Sequence, residues 1–101
     1  MKYTRNITEA RAIDLLNNLY GTNLGFRLKK LEEEQKELSD AINCYLEEPT
    51  TKNAEKVKDE LADCEVIKTQ IGYFFEVYQK ELLDIAIDKI KQRQINPNYK
   101  R

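Results

Sequence analysis

The chain has no histidine. That absence removes imidazole acid–base catalysis, histidine metal ligands and every nucleophile–histidine pair. A metal held here would sit among oxygen ligands, which favours Mg²⁺ or Mn²⁺ over Zn²⁺. Glycine and proline are scarce, three and two residues respectively, so long helices follow almost by exclusion. No apolar run approaches the roughly 20 residues that span a bilayer. The N-terminal MKYTRNITEA lacks the apolar core of a signal peptide, and a cytoplasmic protein with no membrane partner is expected. Neither charge sign dominates: 17 basic against 18 acidic residues give a net charge of −1. Without a basic field, nucleic acid is not expected as a primary partner. The two cysteines, Cys44 and Cys64, could be bridged on paper. In a cytosolic helical protein they read as free thiols in or near the core.

What is present is a 101-residue chain, 41% hydrophobic and 35% charged. That suffices for one domain spanning residues 1–101 with a modest core. Asn6, with Glu9 three residues later, reads as a capping box that opens a first helix, and Gly21 closes it. Ile13, Leu16 and Leu19/Tyr20 form its apolar stripe. A second helix is expected from about Asn23 to Glu48, with Leu24, Leu28, Leu31, Leu38, Ile42 and Leu46 as its stripe. Pro49 and Thr50-Thr51 stop it. A third helix starts near Thr51 or Lys52 and carries Val57, Leu61, Cys64, Ile67/Ile71 and Phe74/Phe75. A fourth runs from about Lys80 to Arg93 with Leu82, Leu83, Ala86, Ile87 and Ile90. Neither glycine nor proline marks the boundary between these last two helices. Asn96-Pro97-Asn98 reads as a frayed tail from about residue 95. Nothing alternates with period two, so no strand is expected. The fold class is all-α, an antiparallel four-helix bundle. Tyr73, Phe74, Phe75 and Tyr78 exceed what one core face needs, and they read equally as core or as a subunit interface.

The stretch KLEEEQKEL, residues 30–38, raises the question of whether its acids are a solvated face or share a task. At 100° per residue, Glu34 lies roughly 70° from the centre of the second helix's apolar stripe, with Glu37 on the same flank. Glu60 lies roughly 40° from the centre of the third helix's stripe, with Asp63 beside it. Each pair has i,i+3 spacing and so presents neighbouring carboxylates. If the two helices form an antiparallel hairpin, four carboxylates converge at the core's edge. Such a cluster repels itself unless a divalent cation compensates it. Asp40, Glu81 and Asp84 share the local pattern but fall opposite their stripes and should be solvated, as should Glu32. Asn17, Asn18 and Tyr20 could contact a ligand or be ordinary surface and capping residues.

KLEEEQKELSDAI followed by DELADCEVIKTQI resembles the MazG-like all-α nucleoside triphosphate pyrophosphohydrolases. That family is marked by E-E-x-x-E on one helix and E-x-x-D on the next. Here these are Glu33-Glu34-Gln35-Lys36-Glu37 and Glu60-Leu61-Ala62-Asp63, and the similarity covers residues 24 to 93. The resemblance implies a MazG-like bundle that oligomerises, as a homodimer or homotetramer, and Mg²⁺-dependent cleavage of a nucleoside or deoxynucleoside triphosphate to the monophosphate and pyrophosphate. It implies Glu34, Glu37, Glu60 and Asp63 as metal ligands, and Glu33 as an acid that orients the attacking water. It also implies Lys89 and Arg93 as phosphate contacts. Without the resemblance, Lys89 and Arg93 read equally well as a pair that compensates the helix dipole. The family often has a glycine-containing loop between its third and fourth helices, whereas VYQKELL has none. Two other readings stay open: a non-catalytic helical module that binds a protein partner through its aromatics, and a nucleotide-sensing relative of the same fold.

Overall fold

The computed structural model describes residues 3–95, and the expected tail at Asn96-Pro97-Asn98 lies outside them. The described chain is all-helical, with α1 Ile7–Tyr20, α2 Leu24–Glu47, α3 Thr51–Phe74 and α4 Gln79–Ile95. None of these helices is long and apolar enough to cross a membrane. The ends are set by local chemistry. Asn6 caps α1 by accepting the Glu9 N–H, and Gly21 ends it at φ 74°, a left-handed conformation that suits glycine. Asn23 accepts from Phe26 N–H at the start of α2, and Thr50 accepts from Asn53 N–H at the start of α3. The Asn53 amide donates back to the Glu48 carbonyl at 2.9 Å, closing the short α2–α3 connection.

α2 and α3 form an antiparallel hairpin. Cys44 lies near Asn53 at one end, and Arg27 bonds Gln70 at the other. The contacting seam corrects the expected stripes. On α2 the less exposed line is Arg27, Leu31, Glu34, Leu38 and Ala41, with steps of four and three. On α3 it is Val57, Glu60, Cys64, Ile67, Ile71 and Phe74. This is the 3.5-residue repeat of a coiled-coil hairpin, and it places two glutamates and an arginine at seam positions. Leu24, Leu28, Ile42 and Leu46 are instead exposed, as is Leu61 on α3. α2 therefore carries a second apolar face, and only the seam is used within one chain.

α1 packs on α3 through buried Ile13. Near their meeting point Arg27 is 0% exposed. Its guanidinium donates to Gln70 Oε1 at 3.1 Å and to the Tyr20 carbonyl at 3.2 Å. It also lies 4.8 Å from the Tyr20 ring centre and 4.6 Å from that of Phe26. Gln70, equally buried, passes the network on to Asn17 Oδ1 at 2.7 Å. Asn17 is thus an internal link, not a free surface amide.

The α3–α4 boundary turns on Gly72, which corrects the expectation that no glycine marks it. Its carbonyl accepts from both Phe75 N–H and Val77 N–H, and a Cβ there would sit 2.9 Å from the Val77 carbonyl oxygen. The chain then passes through Glu76 at φ 54°. The N-terminal segment holds this turn. Arg5 reaches the Val77 carbonyl at 3.4 Å and stacks on Tyr78 at 4.5 Å and Tyr73 at 5.7 Å. The Glu9 carboxylate accepts the N–H of Gln79, the first residue of α4. So the cap at Asn6 is as expected, but the Glu9 side chain serves a different helix. Asp84 and Glu81 are half-buried rather than solvated: Asp84 accepts from Tyr3 OH at 2.8 Å, and Glu81 from Tyr78 N–H.

α4 buries no residue, and Leu82, Leu83, Ile85, Ile87 and Ile90 stay substantially exposed. The radius of gyration is 16.1 Å, against about 13 Å for a compact chain of this length.

Candidate metal centre

The hairpin register brings Glu34 across from Asp63 and Glu37 across from Glu60. One carboxylate oxygen from each of Glu34, Glu37, Glu60 and Asp63 lies within 4.8 Å of every other. Glu34 and Glu60 come from the seam and are half-buried; Glu37 and Asp63, one turn further on, are exposed. Oε2 of Glu34 and Oε2 of Glu60 are buried without a hydrogen-bond partner. Burial first, and then the charge of Glu37, hold the Glu34 carboxyl above the ordinary carboxylate range, with Asp63 adding to this and Lys30 opposing it. The Glu60 carboxyl is raised in the same way, by burial and then by Glu37 and Asp63. Cys64, next to this layer, is a buried free thiol raised by desolvation and by Glu34. Two orphaned carboxylate oxygens, on groups raised by burial and by the neighbouring Glu37 and Asp63, form a donor set suited to a hard divalent cation.

The other expected site residues do not join the cluster within one chain. Glu33 is exposed and pairs with Lys30 at 3.4 Å. Lys89 and Arg93 are exposed on α4 and form no ion pair among the described residues. The acids expected to be bystanders on α2 are so: Glu32 is exposed, and Asp40 is exposed and paired with Lys36 at 3.0 Å.

A cavity of about 280 Å³ adjoins the carboxylates. Leu16 and Tyr20 of α1, Lys30 and Glu34 of α2, and Asp63 and Ile67 of α3 line it. Lys30 is a cation that the fold brings beside Glu34, as Lys56 is beside Glu60, and periodicity alone did not single it out. Its signal was available: it lies one turn before Glu34, on the same face. No protein-family model, curated protein or solved structure matches this chain.

Proposed function

We propose that this chain is a Mg²⁺-dependent nucleoside triphosphate pyrophosphohydrolase of the MazG-like kind, converting a nucleoside or deoxynucleoside triphosphate and water into the monophosphate and pyrophosphate. The observation that carries this reading is the convergence of Glu34, Glu37, Glu60 and Asp63 across the seam, with two buried oxygens left unpartnered. A solvated helix face has no reason to aim carboxylates from two helices at one point. Mn²⁺ would suit the same oxygen donors.

Glu34, Glu37, Glu60 and Asp63 would hold the cation. When bound, it would neutralise charge on the phosphate oxygens and lower the pKa of a water. Glu33, one residue before Glu34 and free to leave its exposed contact with Lys30, would accept a proton from the attacking water. Attack at the α-phosphorus breaks the α–β anhydride bond, and pyrophosphate leaves. Lys89 and Arg93 would contact the phosphates from α4. The exposed apolar faces of α2 and α4, with Phe75 at 61% exposure, support a homodimer or homotetramer in which a second copy covers them. In that assembly α4 can serve a neighbouring site.

The same exposed faces support the second reading, a non-catalytic module that binds a protein partner. One assay separates the two. Pyrophosphate release is measured from a panel of canonical and modified nucleoside triphosphates with Mg²⁺. Glu34→Gln, Glu37→Gln, Glu60→Gln and Asp63→Asn should each lower the rate by about 10²-fold or more. Asp40→Asn should change it little. Equal losses in both sets, or no release by the unaltered chain, would remove the enzyme reading.

A further inference from the structure

Among the described residues, α4 is the one helix with nothing buried. The extensive helix packings are α2 on α3 and α1 on α3, and α4 has no comparable one. A cavity of about 140 Å³ stands where α4 would close on α3, between Lys68, Thr69 and Gly72 on one side and Leu82 and Leu83 on the other. What holds α4 comes chiefly from the other end of the sequence. Tyr3 OH donates to Asp84 at 2.8 Å. Glu9 accepts the Gln79 N–H at 3.3 Å. Arg5 donates to the Val77 carbonyl, stacks on Tyr78 and Tyr73, and pairs with Glu9 at 3.7 Å. From α3, the Gln79 side-chain amide is tied to Glu65.

These ties are few, and on α4 itself they fall at Gln79 and Asp84, in its first two turns. Each is well placed. The Glu9 side chain is almost enclosed and stands both in the first turn of α1 and at the first N–H of α4. Helix N-termini carry partial positive charge, so one carboxylate serves two dipoles. The chain enters α4 through Glu76 at φ 54°, a left-handed conformation that a non-glycine residue holds only under constraint.

We propose that Tyr3, Arg5 and Glu9 form a latch, and that α4 is a movable arm that opens about the Gly72–Val77 turn separately from the α1–α2–α3 body. Opening the arm exposes little apolar surface that is not already exposed, so it costs far less than parting α2 from α3. Arg5 is the centre of the latch, since it touches the turn, both tyrosine rings and Glu9. The arm carries Lys89, Arg93 and the aliphatic residues Leu83, Ile87 and Ile90 as one unit. Its opening therefore moves charge and apolar surface together.

The test is amide hydrogen exchange of the full chain in dilute solution, read by mass spectrometry. Once detached, a helix without packing is marginal in water, so the α4 amides report release. In the unaltered chain the amides of α4 beyond Leu83 should exchange at least about 10²-fold faster than those of Cys64–Ile71 in the seam. Arg5→Ala should speed the α4 amides by about a further 10-fold and leave the seam amides unchanged. Arg5→Lys keeps the charge but loses the flat stack, and should fall between the two. Tyr3→Phe removes only the hydrogen bond to Asp84 and should speed α4 by about 3-fold; it decides the matter if Arg5→Ala does not fold. Exchange of α4 and the seam at one common rate would overturn the arm. Acceleration of all helices alike would make Arg5 an ordinary stabiliser and overturn the latch, as would no acceleration of α4 in any of these variants. Pyrophosphate release plays no part in the readout, so the latch stands or falls apart from the hydrolase reading.

Discussion

Two layers of the α2–α3 seam bury charge, about two helical turns apart, and they treat it in opposite ways. At Arg27 the cation meets acceptors and ring faces, Gln70 Oε1, the Tyr20 carbonyl, and the Tyr20 and Phe26 rings, and only its Nε is left without a hydrogen-bond partner. At Glu34 and Glu60 the nearest charges are chiefly other carboxylates, opposed by Lys30 and Lys56, and an oxygen of each is left without a hydrogen-bond partner. A buried polar group provided with partners specifies architecture. A buried group denied them needs an external one. The seam therefore divides into a bolt and a candidate binding place, although both interrupt the same apolar repeat.

The largest expected effect breaks the bolt. Arg27→Ala would strand Gln70 Oε1 and the Tyr20 carbonyl and open a cavity, so urea denaturation should show a loss of about 3 kcal/mol or more. A loss below about 1 kcal/mol would mean the network contributes little. Next comes the binding place. Without metal, the raised carboxyls of Glu34 and Glu60 keep protons in the folded chain that the unfolded chain has already released. Stability should therefore fall as pH rises from the ordinary carboxylate range through the raised values. Mg²⁺ at about 100 times its Kd should add about 2.7 kcal/mol near neutral pH and abolish that fall. Thermal midpoints across pH, with EDTA and with Mg²⁺, measure both; identical profiles would contradict a cation site. The smallest effect lies outside the seam. Gly72→Ala forces a Cβ against the Val77 carbonyl and should cost about 1–3 kcal/mol. Because it disturbs the α3–α4 turn and not the acids, Mg²⁺ stabilisation should persist in that variant. Loss of the Mg²⁺ effect would show that the two regions are coupled.

Caps and breakers made the helices legible from sequence. Asn6, Gly21, Asn23, Pro49 and Thr50 act over three or four residues, and the boundaries they mark fall within a residue or two of those expected, whereas the end of α3 was not marked in this way. The i,i+3 spacing of Glu34/Glu37 and Glu60/Asp63 already put each pair on one flank, and the expected antiparallel hairpin of the second and third helices supplied the partner helix. What failed was the choice of inward face. Leucine periodicity favoured Leu24, Leu28, Ile42 and Leu46, whereas the seam runs through Arg27, Glu34 and Ala41. Polar residues at core positions are invisible to a hydrophobic count, because their burial depends on distant partners such as Gln70 and Tyr20. Position along a helix is a local property that sequence determines by itself. The tertiary structure alone decided which apolar face was closed within one chain, that Arg27 lies inside, and that α4 projects with its aliphatic residues uncovered. Those outcomes depend on register and on contacts between residues far apart in sequence, which no local periodicity encodes.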